Sequence, residues 1–167
     1  AAGRLAGAAG LADGVDQVIF ANTGYHWHIG KDANDKIAVL VRQSNNIELG
    51  SVTTTTETIK VADGPTMLTV SVNLATTTIQ IRIGTAAVAA MTVTQTITDG
   101  IADFSAADFA FGAAVTTADK LNAAMGRLYL TNQYIDISDS TEFAKLVTSS
   151  GLPADVGAAG ITPTGTA

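Results

Sequence analysis

The chain has 167 residues, enough for one domain and tight for two. Almost half of them, 47%, are apolar and only 14% are charged, which excludes a disordered chain and leaves material for a substantial core. The net charge is −6 and the nine Lys and Arg are scattered singly, so the basic stripe that nucleic acid or an anionic membrane surface requires is missing and neither is an expected partner.

Residues 1–14 open with a small, apolar Ala/Gly stretch whose basic residue is Arg4. It lacks the Leu-rich centre of a secretory signal and reads as a flexible arm that orders on assembly. From Val15 the dominant period is two, the strand period. Candidate strands run over Val15–Thr23 and Tyr25–Lys31, broken at Gly24, then over Lys36–Gln43, with Ile37, Val39 and Val41 on one side. Ile47–Thr56 follows the turn-prone Ser44-Asn45-Asn46, and Glu57–Val61 ends at Asp63-Gly64-Pro65. Met67–Leu74 places Leu68, Val70, Val72 and Leu74 on one face, and Thr78–Ile83 does the same with Ile79, Ile81 and Ile83. The break Ala75-Thr76-Thr77 joins these two as a hairpin. Val88–Ile97, Phe109–Val115 and Gly126–Ile137 complete the set, the last offering Leu128, Leu130 and the Tyr129 and Tyr134 rings as core material.

About nine or ten short strands at this spacing predict an all-β, antiparallel β-sandwich over 15–167. Helical spacing competes over Ser140–Ser149, where Asp139 is placed to cap the first free amides, Glu142 stands three later, and Phe143, Leu146 and Val147 share a face. Gly151 and Pro153 stop this short helix, and a Gly/Pro-rich tail follows. With no Cys, stability must come from packing or assembly. No run of about 18 apolar residues exists to span a membrane as a helix.

The stretch from Tyr134 to Ala167 is the most specific. It reads Tyr134-Ile135-Asp136-Ile137-Ser138, the short helix, Gly151-Leu152-Pro153, Asp155-Val156-Gly157, and Pro163-Thr164-Gly165. With Phe109 to Gly112 and Gly126-Arg127-Leu128-Tyr129 upstream, it resembles the C-terminal part of concanavalin-A-like, laminin-G-like jelly-roll domains of tailed-bacteriophage structural proteins. The likeness covers about the last 60 residues, and Leu146 stands where these domains often carry an aromatic residue. The resemblance implies a jelly roll and a place in the virion, after synthesis in the bacterial host cytoplasm. It implies a capsid decoration or a fibre- or tail-associated module, whose partners are other virion proteins, copies of itself, or, in a lectin-like adhesion role, a host-surface glycan.

Chemistry-bearing patterns are sparse. Glu48 and Glu57 stand nine apart and Glu142 serves as a cap, so a glycosidase pair at about 5 Å is not expected, and neither is an enzyme. His26 and His28 flank Trp27 and, on a strand, would face one way toward a metal, the plainer alternative being a polar strand face with Trp27 turned inward. Asp32, Asn34 and Asp35 offer oxygens for Ca²⁺, and an Asx-rich hairpin turn explains the same residues without an ion. No cofactor is otherwise expected. A sugar site would stack on Tyr25, Trp27 or Tyr134, with Asn132 and Gln133 beside the last, although a sandwich of this size uses most of its nine aromatics in the core.

Overall fold

The computed structural model describes residues 2–6, 14–63, 66–103, 109–112, 124–131, 133–150 and 154. Ten strands follow one another: β1 Ala2–Ala6, β2 Gln17–Asn22, β3 Trp27–Lys31, β4 Lys36–Arg42, β5 Glu48–Thr58, β6 Thr66–Asn73, β7 Thr78–Ile83, β8 Met91–Gln95, β9 Phe109–Phe111 and β10 Ala124–Tyr129. One helix, α1 Ser140–Ala144, comes after them. The strands form two antiparallel sheets, in the orders β10-β1-β6-β7 and β8-β5-β4-β3-β2-β9. The fold is therefore an all-β antiparallel sandwich with one short helix.

The alternation read from sequence is the alternation that packs. In β4, Ile37, Val39 and Val41 are buried while their neighbours are partly exposed. They meet Leu68, Val70, Ile79 and Ile81 of the facing sheet, and each such side chain contributes about 1.5–3 kcal/mol of burial. The β6–β7 hairpin turns at Leu74–Thr77, closed by the Thr77 N–H donating to the Leu74 carbonyl at 3.0 Å, with Thr77 at φ 50°.

Four elements differ from the sequence reading. Ala2–Ala6, expected as part of a flexible arm, is strand β1, paired on one side with β6 and on the other with β10. Alanine and glycine are poor strand formers, but two ready-made neighbours supply the hydrogen bonds. The two strands expected over Ile47–Thr56 and Glu57–Val61 are one, β5. The last strand stops at Tyr129, and Tyr134 to Ile137 lies outside any strand. The helix ends at Ala144 instead of Ser149. The Asp139 cap does hold its start, accepting from the Thr141 N–H at 2.7 Å and the Glu142 N–H at 3.2 Å. The Gly/Pro-rich tail, Gly151 to Pro153 and 155–167, lies outside the described residues.

Strand β6 of the four-stranded sheet is covered on both faces. Met67, on the opposite side of β6 from the main core, packs with Ile135, Ile137, Phe143, Leu146 and Val147. That layer is pinned by polar bonds. Ser71 Oγ donates to the Ile135 carbonyl at 2.5 Å, Gln80 Nε2 donates to Asp136 Oδ1 at 2.8 Å, and Arg82 Nη1 donates to the Ile137 carbonyl at 2.8 Å. The Arg82 guanidinium lies 3.5 Å from the Phe143 ring centre, a cation–π contact. Hydrogen bonds from Ser138 and Gln80 hold the Asp136 carboxyl below the usual carboxylate range, so it stays charged while it organises this turn.

Candidate functional site

Along β6 from Thr69 to Asn73 the sandwich opens into a cleft of about 470 Å³. Phe20, Trp27 and Ile29 of the six-stranded sheet form its floor, β6 from Thr69 to Asn73 forms one wall, and Ile135, Ile137 and Leu146 contribute from the outer layer. The mouth carries Ile101, 87% exposed, and Leu130, 46% exposed. Leu130, expected as core material, is thus at the surface. Asp99 is the one charged side chain lining the cleft among the described residues. A concave, mostly apolar site of this volume suits a ligand or a partner segment.

The wall made by Asp99 to Ala102 is tied at both ends. The Thr98 N–H donates to the Leu49 carbonyl at 2.7 Å, and the Asp103 N–H donates to the Arg42 carbonyl at 3.1 Å. Asp103 Oδ2 meets His26 Nδ1 at 2.5 Å, and the fully buried Asn22 side chain donates to the Asp103 carbonyl at 3.4 Å. Asn22 Oδ1 also accepts from the Trp27 N–H at 2.8 Å, so a single amide links the floor to the wall. A Cβ at Gly100 would sit 2.5 Å from Leu49 Cδ2, which explains a glycine where this wall crosses β5.

The structure divides the aromatic residues proposed for a sugar site. Trp27 and Tyr134 both line the cleft, with Gln133 nearby on its lining. Burial raises the Tyr134 phenol above its ordinary value, and the neighbouring Asp136 charge adds to the effect. Tyr25 is elsewhere. Gly24 at φ 83° and Tyr25 at φ 56° put it in a short 3₁₀ turn, and it lines a separate hollow on the outer face of the six-stranded sheet, beside His28 at 5.8 Å between ring centres. Asn132 lies outside the described residues.

The proposed cation loop is occupied by its own bonds. Asp32 Oδ1 accepts from the Asn34 N–H at 2.8 Å and the Lys36 N–H at 2.9 Å, the Asx-turn pattern. Asp35, at φ 65°, turns its carboxylate onto the buried Lys31 ammonium and accepts from the Gly14 N–H at 2.9 Å. His26 and His28 are likewise divided, the first held by Asp103 and the second packed beside Tyr25. Among the described residues no group of three or more His, Cys, Asp or Glu is placed to hold a metal ion. The three glutamates have local partners: Glu48 with Ser51 Oγ at 2.6 Å, Glu57 with Thr56 Oγ1 at 2.9 Å and Glu142 with Lys145 at 2.6 Å.

Sequence reasoning missed Phe20, Ile101 and the β6 edge as parts of one site. The available signal was weak: an isolated Ile directly after the turn residues Asp99-Gly100. No family model, curated protein or solved structure matches the chain. The fold is of the antiparallel β-sandwich class, with an apolar cleft between its sheets.

Proposed function

We propose that this chain is a non-enzymatic structural module of a tailed-phage particle, a capsid decoration or a fibre- or tail-associated piece, that docks neighbouring virion proteins or copies of itself through the inter-sheet cleft. The observation that carries the docking role is the apolar cleft with Ile101 and Leu130 exposed at its mouth. Large apolar side chains around a concavity are unfavourable in water unless something covers them. The phage assignment and the concanavalin-A/laminin-G-like kinship rest on the C-terminal resemblance in sequence. Sedimentation velocity tests the docking role. The wild-type chain should self-associate or co-sediment with particles, and an Ile101→Lys, Leu130→Lys variant should stay folded and monomeric. A wild-type chain that remains monomeric and never travels with particles refutes it.

A second reading, a lectin-like adhesion module, is favoured by Trp27 and Tyr134 lining one cleft with Gln133 and Asp99. It predicts hits on a glycan array that are lost in Tyr134→Ala, and an array without hits rejects it.

A further inference from the structure

We infer that the hollow on the outer face of the six-stranded sheet binds a short peptide with both termini free, its carboxylate at Arg42 and its ammonium at Asp16 and Asp32. This site is separate from the cleft and stands or falls apart from docking there.

The floor of the hollow follows from strand register. Val18, Gly30 and Ala38 stand side by side across β2, β3 and β4, and His28 stands beside Leu40 in the next row. Glycine and alanine leave the first row low. The space above is about 390 Å³, within the range of small-ligand sites. Gly30 is required by its neighbour. A Cβ there would stand 2.7 Å from His28 Cε1, so a side chain would displace the ring. A glycine inside a strand weakens it and marks such a close approach.

The two ends of the hollow are of opposite character. Arg42 is the donor end. Its Nε is buried without a hydrogen-bond partner among the described residues, and Nη2 stands 3.7 Å from Glu48 Oε2, outside hydrogen-bond distance. Glu48 spends Oε1 on Ser51 Oγ at 2.6 Å. The guanidinium is thus a fork of donors, 30% exposed, whose geometry matches a carboxylate. The acceptor end lies where Gln17 faces Lys31, with Asp16 and Asp32 one residue further on. The Asp32 N–H donates to the Lys36 carbonyl at 2.9 Å, and Lys36 is six residues from Arg42 on β4, about 20 Å of strand. Among the described residues neither Asp16 nor Asp32 has an ion-pair partner, since the Lys31 ammonium beside them is taken by Asp35. Asp32 uses Oδ1 for its own turn and keeps Oδ2, and the buried Gln17 Oε1 has no partner among the described residues. The occupant must therefore accept at one end and donate at the other, across an apolar middle. A neutral sugar leaves Arg42 unanswered, and a simple anion leaves the two carboxylates uncompensated. An extended peptide of three to five residues, about 10–17 Å long, carries the matching charge at each terminus.

The test titrates tetra-alanine into the full chain, followed by calorimetry and by backbone amide shifts in NMR spectra. The peptide should bind and move the Gly30 and Ala38 amides, leaving those of Val72 and Asn73 in the cleft in place. Its C-terminal amide and its N-acetyl form each lack one charge, and each should bind at least about tenfold more weakly. Arg42→Gln should bind acid and amide alike. Asp16→Asn, Asp32→Asn should bind the free and the acetylated peptide alike. Asparagine at 32 keeps the Oδ1 acceptor that the turn needs, and an unchanged urea midpoint shows that a variant is folded. The wild-type chain with the three peptides decides the matter without any variant. No binding at millimolar tetra-alanine, equal binding of the three peptides, or shifts confined to the cleft overturns the inference. A uronic-acid trisaccharide that binds where tetra-alanine does not overturns it as well. Docking by the cleft has its own readout in the sedimentation of the Ile101→Lys, Leu130→Lys variant.

Discussion

Asp35→Asn is the most informative single change to the scaffold. The Lys31 side chain is fully buried and its ammonium is paired with Asp35, a residue that itself accepts from the Gly14 N–H and, through its carbonyl, from the Ile59 N–H at 2.9 Å. Asparagine keeps the size and tolerates the positive φ of this position, so the backbone is spared and the charge alone is removed. Breaking one partner of a buried pair costs about 3–5 kcal/mol, because the remaining charge is left uncompensated. For a chain of this length that lowers Tm by about 6–20 °C. Urea unfolding followed by Trp27 fluorescence should show a lower midpoint at unchanged slope. The double variant Lys31→Met, Asp35→Asn should recover most of the loss, since nothing charged is then stranded. The pH dependence has a definite sign. Burial pushes the Asp35 carboxyl up, but this is outweighed by hydrogen bonds from Lys31 and the Gly14 N–H and by the charges of Lys31 and Lys60, which hold it below the usual range. A depressed carboxyl stabilises the fold above its unfolded value, about 3.9, and that contribution is lost as pH falls through the lower folded value. Wild type should therefore lose stability relative to Asp35→Asn in acid. A cost below about 1 kcal/mol at neutral pH, or a double variant no better than the single, refutes the reasoning.

Ile81, 0% exposed at the centre of the main core, should cost about 2–5 kcal/mol as Ile81→Ala in the same urea assay. Asp139→Ala removes the acceptor for two helix amides and should cost about 1 kcal/mol, with the exchange of the Thr141 and Glu142 amides accelerated. Asp103→Ala unties the cleft wall from His26. It should speed exchange of the amides at 98 and 103, shift Trp27 emission and cost about 1–3 kcal/mol of stability.

What could be read from sequence was what depends on near neighbours. The two-residue period of Ile37, Val39 and Val41 identifies a half-buried strand wherever it lies, and the Asp139 cap needs only the next three residues. What could not be read depends on distant chain. Met67, Thr69 and Ser71 occupy the alternate positions of β6 and would face water in a two-layer sandwich. They are buried because Ile135 to Val147 folds over them. The same docking ends α1 early, since Leu146 and Val147 turn inward onto Met67 instead of continuing the helix. Tyr25 leaves the cleft because two successive positive φ angles break the alternation that would have kept it in phase with Trp27. The cleft itself has no local signature. Its lining comes from Phe20 and Trp27, from β6, from Ile101 and from Ile135, stretches that meet only in the assembled fold.

The sheet edges are covered to different degrees. An exposed edge invites association unless it is short, charged or covered. At one end of the six-stranded sheet β9 is three residues long and Phe109 and Phe111 lie against Phe20, with ring centres 5.7 and 5.0 Å apart. At the other end β8 presents Thr92, Val93, Thr94 and Gln95 to solvent, Val93 being 54% exposed. The outer edge of β7 is met by the Ala89 N–H, which donates to the Ile81 carbonyl at 2.8 Å. Arg82 closes over the Ala86 and Ile137 carbonyls beside it, at 2.6 and 2.8 Å. The edges thus differ in cover: β7 is met by Ala89 and Arg82, whereas β8 leaves Val93 in solvent beside its threonines.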